Sequence, residues 1–214
     1  NEKHGIWYNP MTGEYHEAAI GDKGIQLNLK SGESRILITS NKPVNEWKLG
    51  SNVKVGGKEA IAAADSKTID LTANTWKLSF TEDAPKVGET FNLKGLKSWE
   101  GLSDKAKVMM GTGVYETTIK LSKDDAKKQW AIDLGDVRES ARVYINGEYV
   151  GCVWAVPYTL NCQDKLVKGK NTLRIEVTNL PANRIAEMDR QGVKWRKMKE
   201  INVVDINYKK TTYE

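Results

Sequence analysis

Trp99, Trp154, Tyr158, Asn179, Asn183 and Arg184 are the side chains of this sequence best suited to holding a sugar. A pyranose offers an apolar face that can lie on an aromatic ring, and a rim of hydroxyls that amides and a guanidinium can meet. Each residue also has a plainer use. Trp154 and Tyr158 can plug the end of a β-sandwich, and Asn179 and Asn183 can cap turns. Trp76 and Trp130, flanked by strand residues, read as core, while Trp195 fits either role.

Hydrolysis asks for more. A glycosidase needs two carboxylates flanking the scissile bond, one of them kept protonated by its surroundings. The candidates are Glu100, Glu116, Asp133, Asp136 and Glu176. Glu116 and Glu176 alternate with the apolar residues of their own strands, and Asp133 stands between Ile132 and Leu134, which are positions of ordinary surface charges. No catalytic residue is assigned. The two histidines, His4 and His16, make neither a triad nor a metal set, and no metal site is assigned. Cys152 and Cys162 lie ten residues apart among apolar neighbours, so two buried thiols are expected, with a disulfide between adjacent strands as the alternative.

Lys and Arg number 33 against 28 Asp and Glu, a net charge of +5. Such a balance could suit an anionic partner. Most of the cations, however, interleave with acids, as in SKDDAKKQW, and form a solvated surface. The one basic cluster is KWRKMK, residues 194–199, with Arg184 and Arg190 upstream; no nucleic-acid motif accompanies it, and nucleic acid is not expected as a partner. No apolar run is long enough to span a bilayer. The opening NEKHGIWYNPMTGEY lacks the basic start and apolar centre of a secretion signal.

The elements that must position these groups are short and alternate with period two: Ile25-Leu27-Leu29, Ile36-Ile38, Tyr115-Thr117-Ile119-Leu121, Ile132-Leu134, Ala141-Val143-Ile145, Leu173-Ile175-Val177 and Val204-Ile206-Tyr208. Asn146-Gly147 between two such runs predicts a hairpin, because both central positions of a type I′ turn need positive φ. Val143 and Ile145 then face one way, and Arg142 and Tyr144 the other. Helix is expected only around 103–108, 123–128 and 182–187. The pattern is all-β and antiparallel, with a small β unit over 1–41, a linking region over 42–68 where alternation fades, and a β-sandwich over 69–214.

TWKLSF at 75–80, LKSWEGLSDKAKVMMGTGVYETTIKL at 96–121, IDLGDVRESARVYINGEYVGCVWAVPYTLN at 132–161 and LVKGKNTLRIEVTNLPANRI at 166–185 carry a resemblance. In order, SW, G-T-G-x-Y-E, D-L-G-x-V, V-x-I-N-G, G-x-x-W-x-x-P-Y and L-x-x-G-x-N-x-L-x-I-x-V-x-N form a pattern similar to the galactose-binding-like jelly roll of glycoside hydrolase family 2. It more closely resembles the C-terminal module of family 106-type α-L-rhamnosidases of gut Bacteroidetes. WYNPMTGEYHEA with KGIQLNLKSGESRILIT is similar to the β unit that closes the catalytic region of those enzymes.

The resemblance implies a jelly-roll sandwich preceded by a small β unit, with the catalytic carboxylates in another domain. It implies a non-catalytic accessory or carbohydrate-binding module of a rhamnosidase-like glycoside hydrolase that degrades polysaccharide, exported to the periplasm or cell surface. Its partners would be carbohydrate, an acidic plant polysaccharide being one candidate, and a catalytic domain of the same chain or complex. An autonomous hydrolase and a purely structural domain are the alternatives. Asn161 stands where related modules often carry Asp, in a region where such folds can hold structural calcium. No cofactor is therefore expected, although backbone carbonyls leave calcium open. A bound sugar is expected where the Trp154–Tyr158 corner meets the loops bearing Trp99 and Arg184.

Overall fold

The stretch NPMTG at 9–13 turns the chain on itself early. Asn9 accepts the amide of Met11 on its side chain at 2.9 Å and the amide of Gly13 on its carbonyl at 2.8 Å, closing a loop between two strands. These strands, β1 (His4–Tyr8) and β2 (Tyr15–Glu17), open a series continued by β3 (Ile20–Gly21), β4 (Gly24–Ile25), β5 (Ile36–Ser40) and β6 (Val55–Lys58). This computed structural model describes residues 2–25, 27, 29, 31–47, 49, 55–58, 67–162 and 165–195. The chain divides into two units, Asn1–Ile69 and Asp70–Glu214.

In the first unit one sheet runs β5-β1-β2-β6, and β3 pairs with β4. Two expectations change here. Strand β4 ends at Ile25, and Leu27 and Leu29 are exposed, so that alternating run does not line a core. The stretch expected to link the units also supplies β6, which pairs in parallel with β2. Its sequence, VGGK, has two glycines and hence no apolar alternation to betray a strand, although its backbone can still pair.

The second unit carries β7 (Thr75–Ala84), β8 (Phe91–Lys94), a 3-10 turn at Trp99–Gly101, α1 (Asp104–Val108), β9 (Met110–Leu121), a 3-10 turn at Asp125–Lys127, β10 (Ala131–Asp133), β11 (Ser140–Ile145), β12 (Glu148–Val153), β13 (Thr159–Asn161), β14 (Gly169–Thr178) and α2 (Ala182–Arg190). Six strands form an antiparallel sheet in the order β12-β11-β14-β9-β7-β8, and β10 pairs with β13. The stretches expected to be helical hold α1, the 3-10 turn at Asp125–Lys127 and α2, while the 3-10 turns at Val44–Glu46 and Trp99–Gly101 lie outside those stretches. Val204-Ile206-Tyr208 lies outside the described residues.

Alternation sorts the large sheet into two faces. Val143, Ile175, Tyr115 and Leu78 succeed one another across neighbouring strands and point into the core. Over the β11–β12 side the second layer closes the core: Ile132, Leu134 and Leu160 pack on it, with Leu160 lying over Gly151. Over the β7–β9 side the closure comes from the segment between β8 and β9. There Trp99 stacks on Tyr115 and meets Phe80 edge-on, while Ala106 of α1 and Met109 are fully buried. The result is an antiparallel β-sandwich whose lid is half strand and half irregular segment.

Candidate functional site

Trp99 is the first residue of its 3-10 turn, capped by the hydroxyl of Ser98, which accepts the amide of Glu100. The indole is 7% exposed and lies against Gly113, so it belongs to the core and offers no open face to a sugar. Its neighbour Glu100 accepts a 2.6 Å hydrogen bond from the side-chain amide of Asn183 on α2. Asn179 is committed as well: its amide donates to the carbonyl of Met109 at 3.0 Å, and its oxygen accepts the amide of Gly111 at 2.9 Å. Both asparagines thus tie α2 and the end of β14 to the segment before β9. The side chain of Arg184, half-buried beside Asn183, has no hydrogen bond or ion pair among the described residues.

Trp154 and Tyr158 part company. Both follow β12, whose last residue Val153 pairs with Ala141, next to the pair Ser140 and Thr178. The Pro157 corner therefore opens at the same end of the sheet as Asn179 and α2. Tyr158 packs against the core and its carbonyl accepts the amide of Leu134. Trp154 is 61% exposed, with Val156 exposed beside it. The expectation that Trp154 plugs the sandwich is corrected: the indole stands exposed, while Tyr158 and Leu160 pack on the core. Close to Tyr158, Arg138 grips Asp136 through two hydrogen bonds of 2.7 and 2.8 Å. These bonds hold the Asp136 carboxyl below the usual carboxylate range.

Sequence reasoning passed over the face of the large sheet that points away from the core. There Tyr149, Tyr144, Arg174, Glu116, Lys77 and Asn92 form one row across all six strands. The Arg174 guanidinium lies 5.3 Å from the ring centre of Tyr144 and 2.5 Å from Glu176. Glu176 also meets Arg142 at 3.6 Å, and Glu116 meets Lys77 at 3.6 Å. A depression of about 310 Å³ opens beside the row, lined among others by Glu116, Thr118, Tyr144, Gly147, Thr172 and Arg174.

Other sequence candidates resolve simply. Trp76 is buried, Trp130 packs on the core, and Trp195 donates to Asp189 at 2.6 Å. Cys162 is buried and its thiol is pushed up by burial, but Cys152 is exposed, against the expectation of two buried thiols; both are free. Asn161 sits on β13 opposite Ala131, and no group of three or more His, Cys, Asp or Glu able to hold a metal ion occurs among the described residues. No helix among the described residues is long and apolar enough to cross a membrane. Residues 196–199 of the basic cluster lie outside the described residues.

Residues 103–213 match the family described as glycosyl hydrolase 2 galactose-binding domain-like. The chain belongs to this family. The sandwich is accordingly the galactose-binding-like fold. A protein of Formosa agariphila named "Putative beta-glucuronidase" is 30% identical over 174 residues, covering 76% of this chain and 15% of that protein. The solved rhamnosidase of Novosphingobium sp. PP1Y superposes with a TM-score of 0.67 at 21% identity, over 91% of this chain and 18% of that one. The chain thus spans less than a fifth of the length of either relative.

Proposed function

We propose that this galactose-binding-like domain is a non-catalytic accessory module of a longer glycoside hydrolase, akin to the C-terminal module of a family 106-type α-L-rhamnosidase. In this reading it holds carbohydrate beside a catalytic domain, in an exported system that degrades polysaccharide. The observation that carries the reading is Trp154: a large indole, 61% exposed at the end of β12, that the module does not bury itself. Covering one face of such a ring with a sugar removes enough apolar area to contribute on the order of 2 kcal/mol.

The carboxylates agree with a non-catalytic role. Glu116 and Glu176 lie diagonally across β9 and β14, bracketed by Lys77, Arg142 and Arg174. Each is engaged in ion pairs rather than left to meet a glycosidic oxygen. A second reading, in which the corner packs on a catalytic domain and touches no sugar, draws support from Val156, exposed next to Trp154.

Titration with a neutral oligosaccharide and thermal melting of the parent and Trp154→Ala distinguish the two. Lost glycan binding with an unchanged melting temperature is the expected result. Full glycan binding by Trp154→Ala, with loss of association to the catalytic domain, would establish the packing role instead. The purified chain should also leave aryl α-L-rhamnosides and β-glucuronides intact; turnover that disappears on Glu116→Gln or Glu176→Gln overturns the non-catalytic reading.

A further inference from the structure

The outward face of the large sheet carries groups that its own packing does not require. Lys120 and Lys170 stand directly opposite each other on β9 and β14. Both are exposed, and neither has an ion pair among the described residues. Like charges placed directly across a ladder destabilise a sheet. Two steps away along the same strands are Thr118 and Thr172, opposite each other, and then Glu116 and Arg174. Over the regular, mutually paired stretches of β7, β9, β11 and β14 this face bears five cations, Lys77, Lys120, Arg142, Lys170 and Arg174, against the carboxylates Glu116 and Glu176. The excess is positive, and two of its members, Lys120 and Lys170, stand next to Thr118 and Thr172 of the depression along the same strands.

We propose that this face binds an acidic oligosaccharide along β9 and β14, one carboxylate of the ligand meeting Arg174 and another meeting Lys120 and Lys170. The proposal rests on the reading of the chain as a carbohydrate-handling module, and it places the ligand away from the Trp154 corner. Four residues of strand separate Lys170 from Arg174, a span of about 13 Å, the length of a short oligosaccharide rather than a single ring.

The chemistry along that span is graded. Arg174 is held over the Tyr144 ring and against Glu176, which fixes the plane of its fork while leaving further N–H donors for a planar carboxylate. The hydroxyls of Thr118 and Thr172 and the carboxylate of Glu116 line the depression where ring hydroxyls would lie. Tyr149, exposed beside Tyr144 in the same row, presents an open aromatic face. At about 310 Å³ the depression reaches the lower end of the roughly 300–1,000 Å³ range of small-ligand sites.

The test is calorimetric titration of the chain with a short galacturonic-acid oligosaccharide and with a neutral galactose oligosaccharide. The acid should bind, more weakly in about 0.5 M salt than in 0.05 M, where screening lengths are longer, and the neutral sugar should bind less. Arg174→Gln, and separately Lys120→Gln with Lys170→Gln, should each lower affinity for the acid at least about tenfold. The paired lysine variant should melt no lower than the parent, because it removes a repulsion. Acid binding that survives these changes but is lost in Trp154→Ala overturns this site and leaves the module reading standing. Binding of the neutral sugar alone does the same. Binding of neither overturns both.

Discussion

Trp99 lies flat on Gly113 because no other residue fits beneath it: a Cβ built there would stand 2.4 Å from the indole Cζ3. The indole cannot withdraw, since Tyr115 stacks on it and Phe80 meets its edge. Gly113→Ala should therefore cost about 1–3 kcal/mol, read as a lower urea midpoint with unchanged slope. Tyr115 gives a second prediction. Burial pushes its hydroxyl up to about 12 from an ordinary value of 10.0. The folded state thus disfavours the phenolate, and this contribution to stability is whole below pH 10 and is lost as the pH rises from 10 through about 12. Stability measured across that window should fall less steeply in Tyr115→Phe than in the parent. An identical alkaline limb in both would remove Tyr115 from the account.

At the scale of elements, the β11–β12 hairpin does more than reverse the chain. Asn146 takes the positive φ that the turn needs, and its side chain then reaches the segment before β14. Its amide donates to the carbonyl of Lys165 and to the side chain of Asn171 at 2.9 Å, and its oxygen accepts the amide of Thr172 at 3.0 Å. Asn171, fully buried, binds the amide and carbonyl of Val167 in turn. Asn146→Gly preserves the turn but deletes these bonds, and should cost about 1–3 kcal/mol because the Asn171 oxygen and the Thr172 amide lose partners. Gly147→Asn, whose new side chain meets open space at a φ that Asn tolerates, should cost less. Chemical denaturation of the two variants side by side checks the order. Equal losses would reduce Asn146 to a turn former.

The whole chain holds two units joined near Ile69 and Asp70. The second has its own core, from Trp76 and Leu78 through Tyr115 to Val143 and Leu173, drawn from every strand of the large sheet. Residues 70–214 expressed alone should melt in one cooperative transition and give a far-ultraviolet spectrum dominated by strand. A fragment without a cooperative transition would show that the sandwich depends on the first unit. At this scale part of the net positive charge also acquires a location, since the outward face of the sheet holds an excess of cations.

Much of this architecture is local and therefore readable in one dimension. Alternation assigns Val143 and Ile145 to one face and Arg142 and Tyr144 to the other, Asn146-Gly147 declares its hairpin, and Ser103 announces α1, where its hydroxyl accepts the amide of Ala106. Those choices depend on backbone geometry within a few residues. Cross-strand register does not. Which residue of β14 stands beside Glu116, and that Lys120 faces Lys170, depends on pairing between segments about fifty residues apart, and no short-range pattern encodes it. The same holds for the aromatic residues. Trp99 and Trp154 both stand in short connections between strands and look alike in sequence, yet one is buried against a glycine on β9 and the other is exposed after β12. Burial is decided by competition for a shared volume, and only the assembled core fixes that volume.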